Sequence, residues 1–151
     1  MVFKTDYWAV VDALKTKLGE LVTSGTLKEI ILGEESAGAG EEHVRAGYPV
    51  AFILPMPYTV KADIPGLEEH PITVDVLIVH QDYDFQAGLK TAVNAAADCR
   101  DKLYADKTLG KACNDLFVES FGPSYEKQKD NKAFLFRSRM KTVCVKLFFE
   151  A

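Results

Sequence analysis

Long apolar runs are missing from this sequence. No stretch approaches the roughly 18 residues of a membrane-crossing helix, and the longest candidates, Val50 to Leu54 and Val76 to Val79, are strand-sized. Cysteine is scarce: Cys99, Cys113 and Cys144 are odd in number, far apart, and form no Cys-x-x-Cys pair. A disulfide framework and a structural zinc site are therefore not expected, and the three read as reduced, buried, small apolar residues. Basic excess is also missing. With 18 Lys plus Arg against 22 Asp plus Glu, the formal charge is −4, which argues against a chain that coats nucleic acid. The opening Met-Val-Phe-Lys-Thr-Asp has no long apolar segment behind its single Lys, so no secretory leader is expected.

What remains is enough for one core. The 151 residues are 48% hydrophobic and 26% charged, too apolar and too weakly charged for a disordered chain. A single domain spanning 1–151 is expected. From Thr5 to about Val22, Trp8, Val11, Leu14, Leu18, Leu21 and Val22 recur at steps of three and four, which predicts an amphipathic helix capped by Thr5 or Asp6 and ended at Ser24-Gly25. A short β-prone run, Thr26 to Leu32, follows.

Gly33 to Gly47 carries Glu34, Glu35, Glu41, Glu42 and little that is apolar, and reads as a mobile acidic loop. Tyr48 to Met56 alternates as a second strand, with Pro49 and Pro55 placing it at an edge or at strand ends. A Pro/Gly-punctuated mobile connection over 57–71 leads to a central strand, Ile72 to His80. Asp82 and Asp84 stand ready to cap a second helix, Phe85 to Tyr104. Leu116 to Phe121 reads as a strand ended by Gly122-Pro123, and a further mobile loop over 122–132 joins it in a hairpin to the longest strand, Ala133 to Phe149.

In that last strand the apolar set switches parity near Lys141-Thr142, from Phe134, Phe136 and Met140 to Val143, Val145, Leu147 and Phe149. A β-bulge or a change of partner would produce the switch. The expected order is α-β-β-β-α-β-β, an α+β domain whose largely antiparallel sheet carries two helices on one face.

Catalytic signatures are absent. There is no phosphate-binding Gly-x-x-x-x-Gly-Lys, and no nucleophile elbow. Gly38-Ala39-Gly40 lacks the third glycine of a dinucleotide turn, and Ser36 and His43 share the acidic loop as spectators. No cofactor and no catalytic residue are expected. The best metal candidates are His80, Asp82 and Asp84, spaced by two at a strand end. Helix capping explains the two carboxylates without a metal. His70 and His43 read as exposed. Arg137, Arg139 and Lys141 form a basic stripe on one strand face. Together with Glu34, Glu35, Glu41 and Glu42, that stripe suits unlike surfaces meeting head to tail in a ring, which makes these seven residues candidate subunit contacts.

The layout resembles the tail-terminator or tail-completion (minor tail) proteins of long-tailed bacteriophages. The likeness rests on the opening helix with Trp8-Ala-Val-Val-Asp-Ala-Leu, on Tyr48-Pro-Val-Ala-Phe-Ile-Leu, and on Ile72-Thr-Val-Asp-Val-Leu-Ile-Val. It continues through the helix containing Ala92 to Leu103 and the turn Tyr104-Ala-Asp-Lys-Thr-Leu-Gly before the closing hairpin. The length and acidity of the Gly33 to Gly47 loop depart from that pattern. The resemblance implies a non-catalytic virion protein, made in the host cytoplasm, whose homo-hexameric ring caps the tail tube. It implies contacts with tail-tube protein and a head connector or neck protein, with DNA only passing through the lumen and no membrane partner. Alternative expectations are a neck or head-completion adaptor, or a small cytosolic metal-binding enzyme using His80, Asp82 and Asp84.

Overall fold

A computed structural model describes residues 3–33, 47–129 and 132–149. The elements are α1 (Phe3–Ser24), β1 (Glu29–Leu32), β2 (Val50–Met56), β3 (Lys61–Ile64), β4 (Leu67–Asp82), α2 (Phe85–Tyr104), β5 (Asp115–Lys127) and β6 (Phe134–Phe149). The sheet order is β1-β2-β4-β6-β5, with β3 pairing off β4, and every pairing except β1 with β2 is antiparallel. This is the expected α+β class with one strand more than the sequence pattern announced.

Both helices pack on one face. Val10, Leu14, Leu18 and Leu21 of α1 and Ala95, Ala96, Cys99 and Leu103 of α2 share a core with Ala51 and Ile53 of β2, Ile72, Val74, Val76 and Ile78 of β4, and Met140 and Cys144 of β6. Trp8 is 44% exposed. At about 100° per residue it lies roughly 125° around the helix from the centre of that buried stripe, outside it. Helix α1 already runs at Phe3, so Thr5 and Asp6 lie inside it and do not cap it. Its end is as expected, since Gly25 takes a φ of 90°.

At the start of α2 the chain approaches the sheet closely. A Cβ added to Gly88 would collide with the Phe136 ring and with the Cβ of Asp82.

Two expected loops are largely strand. Residues 57–71 contain β3 and the start of β4, joined through Pro65-Gly66, where proline presets φ and Gly66 supplies a φ of 79°. Residues 122–132 begin with the second half of β5, which continues through Gly122-Pro123 to Lys127. Proline is tolerated there because β5 is an edge strand and Pro123 needs no second ladder. Strand β2 is internal, but β1 pairs only Val50 to Ile53, so Pro55 sits where one side of β2 is open. The acidic segment 34–46 lies outside the described residues.

Strands β4 and β6 pair without interruption from Leu67 opposite Phe149 to Asp82 opposite Phe134, a ladder about 50 Å long at about 3.3 Å per residue. Strand β6 therefore neither bulges nor changes partner at Lys141-Thr142. Phe136, Ser138, Met140, Thr142 and Cys144 form one row under the helices, at most 1% exposed. The apparent parity switch arises because two positions of this row are hydroxyl residues, while the other row turns apolar from Val143 onward. The bulge is on β5: its register shifts between Val118 and Ser120, leaving Glu119 extra. The Tyr104 hydroxyl accepts the Val118 N–H at 2.8 Å beside this irregularity.

Candidate assembly surface

The sheet face without helices is divided along β6 into three zones. At one end Val50, Phe52, Leu77, Val79 and Leu135 form a small second core, packed with Ile31 and Tyr48. The middle zone is charged. Arg139 meets Asp75 at 2.7 Å, Arg137 meets Glu126 at 2.9 Å, and Lys141 meets Glu119 at 3.0 Å. The β5 bulge serves the last of these pairs, because the extra residue it inserts is the partner carboxylate. Asp75 is buried, and its guanidinium partner covers it from the solvent side.

The third zone is mainly apolar, with Glu69 opposite Leu147 and Asp115 opposite Val145 in its rows. Val143, Val145, Leu147 and Phe149 follow one another on this face, with Phe117 opposite Val143 and Leu67 opposite Phe149. Ile64 pairs in turn with Leu67, so Ile64, Leu67 and Phe149 cross three strands in one row. Ile64 and Phe149 are each 61% exposed and Phe117 is 40% exposed. Single exposed apolar side chains are ordinary, whereas a contiguous group bordered by charge has the composition of an interaction surface. Beside it, Leu116 to Val118 and the rest of β5 form a sheet edge of 13 residues. Apart from the Val118 N–H, taken by the Tyr104 hydroxyl, and Pro123, which has none, its outer N–H and C=O groups are in position to accept another strand.

The predicted contact residues are thus only partly brought together. Arg137, Arg139 and Lys141 do share one face, but each has a carboxylate partner within the chain, so the stripe is a charge-balanced band. Glu34, Glu35, Glu41 and Glu42 lie outside the described residues, as do Ser36, Gly38-Ala39-Gly40 and His43.

The metal candidates separate into other roles. Asp84 caps α2, accepting the N–H groups of Gln86 and Ala87 at 3.0 and 3.3 Å. Asp82 Oδ1 accepts the Asp84 N–H at 3.0 Å. His80 is buried against Phe136, with its Nε2 3.6 Å from Asp82 Oδ2, beyond hydrogen-bond reach, and neither ring nitrogen has a hydrogen-bond partner among the described residues. Burial pushes its pKa down, against the pull of Asp82. Among the described residues no group of three or more His, Cys, Asp or Glu is placed to hold a metal ion.

The sequence reading missed a cluster at the opposite end of β4. His70, expected to be exposed, is buried at 7%. Its Nδ1 lies 2.9 Å from the Tyr58 hydroxyl and its Nε2 lies 2.9 Å from Glu68 Oε2. The Phe148 ring meets it edge-on. Burial raises the Tyr58 pKa, and Tyr7 adds to that rise. The cluster therefore holds its phenol neutral and braces the strand end. The signal available beforehand was the parity of His70 with Ile72 and Val74 on the core-facing row.

No family model and no curated protein matches this chain. Among the described residues no helix is long and apolar enough to cross a membrane.

Proposed function

We propose that this chain is a ring-forming structural subunit of a long-tailed bacteriophage tail, a tail-terminator-like protein that caps the tail tube and docks to the head connector without catalysing a reaction. The observation that carries the reading is the apolar zone on the helix-free face, from Ile64 and Leu67 across Phe149 to Leu147, Val145 and Phe117, lying beside the open β5 edge. Covering one large apolar side chain is worth about 1.5–3 kcal/mol, so several together favour association. The charge-paired band beside the zone supplies a polar border that fixes register. The order of elements adds the layout on which the family resemblance rests.

Native mass by light scattering, on the chain alone and mixed with tail-tube protein, tests the proposal. A closed ring, or tubes of limited length capped by the chain, is the expected result. Leu147→Asp and Phe149→Asp should abolish either product while leaving the circular dichroism of the monomer unchanged. A chain that stays monomeric and leaves tube growth unlimited overturns the reading. Binding to a portal or connector with no effect on the tube would move the assignment to a neck adaptor, the second reading that this surface supports.

A further inference from the structure

Strand β5 ends the sheet, and the second half of its edge is open in a definite pattern. At one end of the β5–β6 ladder the Val145 carbonyl accepts the Asn114 N–H and the Leu147 N–H donates to the Asn114 side-chain oxygen, both at 2.8 Å. At the other end Gln128 donates its N–H to the Ala133 carbonyl at 2.8 Å. Backbone groups alternate sides along a strand, so Lys141, Arg139, Arg137 and Leu135 also turn theirs toward β5. Their partners Ser120, Gly122, Ser124 and Glu126 turn inward to meet them. Phe121, Pro123, Tyr125 and Lys127 are left with backbone groups directed outward, where among the described residues no strand lies. Pro123 has no N–H, so the outward donors are Phe121, Tyr125 and Lys127.

Two features confine an added strand to this half. The Tyr104 hydroxyl already takes the Val118 N–H at 2.8 Å, and the bulge at Glu119 breaks the edge. The side chains of the four outward residues stand opposite Met140, Ser138, Phe136 and Phe134, on the helix-bearing face. They are nevertheless exposed, Phe121 at 40% and Tyr125 at 59%. Phe85, at the start of α2, meets Tyr125 edge-on with ring centres 4.8 Å apart. The Lys127 ammonium lies 5.7 Å from the centre of the Phe134 ring.

We propose that this half-edge pairs antiparallel with the same half-edge of a second copy, about a two-fold axis at Ser124. Phe121 then stands opposite the partner's Lys127, Pro123 opposite the partner's Tyr125, and Gly122 opposite the partner's Glu126. The Phe121 and Lys127 N–H groups donate to the carbonyls of the partner's Lys127 and the partner's Phe121, and the Tyr125 N–H donates to that of the partner's Pro123. Every outward donor is satisfied within β5, and each lysine reaches an aromatic ring across the axis. Other self-registers do worse. An axis at Glu126 opposes two carboxylates. One at Pro123 opposes two residues without an N–H, and one at Gly122 slides the partner strand onto the bulge and the capped Val118 N–H. An axis at Tyr125 sets Phe121 opposite Lys129, past the end of β5. The contact is isologous and closes on itself, which removes an exposed edge from solution. The apolar zone lies toward the other end of β6, so the pairing does not require the ring.

Cysteine trapping tests the register. Residues opposite each other in a non-hydrogen-bonded antiparallel pair have Cα atoms about 4.5 Å apart, within disulfide range. Under mild oxidation Ser124→Cys should run as a dimer on a non-reducing gel and return to monomer with dithiothreitol. The wild-type chain, whose three cysteines are buried, should stay monomeric on that gel. Gly122→Cys, at a position with open space for a Cβ, and Glu126→Cys should cross-link when mixed and neither alone. In a Leu147→Asp background, which removes the ring, light scattering should still show a concentration-dependent dimer. Phe121→Lys should abolish that dimer by facing the partner's Lys127, and adding Lys127→Glu should restore it. If Phe121→Lys fails to fold, the cysteine pattern decides. A Ser124→Cys chain that does not cross-link, or Gly122→Cys or Glu126→Cys cross-linking alone, overturns the pairing. Rings without the Ser124→Cys cross-link would sink the pairing and spare the ring reading, and the cross-link without rings would do the reverse.

Discussion

The two faces of this sheet are built from the same strands, yet they solve different problems. Under the helices, β4 presents Ile72, Val74, Val76 and Ile78, and β6 presents Phe136, Met140 and Cys144, all nearly inaccessible. On the other face the same strands present a small core, a band of ion pairs and an open apolar zone. The first face is finished within the monomer. The second is finished only in part, and the unfinished part lies where Phe149, Ile64 and Phe117 remain exposed. The comparison teaches that one strand can commit one row of side chains to the core and leave the next row open to solvent.

Changes on the two faces should therefore read out in different experiments. The largest loss of stability is expected beneath the helices: Leu18→Ala, at a fully buried α1 position, should cost about 2–5 kcal/mol in urea unfolding of the monomer. Leu147→Asp, on the apolar zone, should cost less than about 1 kcal/mol in the same assay, while removing assembly seen by light scattering. A monomer destabilised as strongly by Leu147→Asp as by Leu18→Ala would end the distinction between the faces.

Next in size is the buried carboxylate of the charged band. Asp75→Ala should cost about 1–3 kcal/mol, because Asp75 is shielded from water and accepts from Arg139 at 2.7 Å. Lys141→Ala breaks an exposed pair with Glu119 and should cost at most about 1 kcal/mol, an effect that fades with added salt. Equal effects from these two changes would show that the band is uniformly solvated.

The smallest effect is pH-dependent. Burial lowers the His80 pKa in the folded chain, so below the ordinary imidazole value, about 6.5, the unfolded chain binds more protons. The stabilisation is complete above that pH and is lost as pH falls through it. Urea midpoints measured from pH 8 to 5 should fall on the acid side, and His80→Gln should flatten that slope.

Much of the architecture was legible beforehand, for local reasons. The stripe of α1, the alternation of Ile72 to His80 and the caps of α2 are short-range patterns, and the helices and the central strand followed from them. The hairpin β3 was hidden because Lys61 to Ile64 is exposed at every position and carries no alternation signal. The second half of β5 was hidden for a similar reason: from Glu119 to Lys127 its residues are all exposed. Such segments are strands because a long neighbour offers a ladder, which no local pattern announces.

The helix-free face was half legible. The parity irregularity in β6 drew attention to Val143 to Phe149, but its meaning needed the register. Ser138 and Thr142 sit under the helices, with hydroxyls that have no hydrogen-bond partner among the described residues, while Val143 to Phe149 face away. The basic stripe was read correctly as sharing one face. Its neutralisation by Asp75, Glu119 and Glu126 depends on contacts between separate strands, and the first of these, Arg139 with Asp75, joins residues 64 positions apart.

The sequence by itself determined the α+β class, both helices, the central strand and the scarcity of reactive groups, since periodicity and composition act over a few residues. Only the tertiary structure decided which row of β6 is core and which charges cancel. Those outcomes depend on strand register and chain reversal, which bring distant residues within a few ångströms of one another.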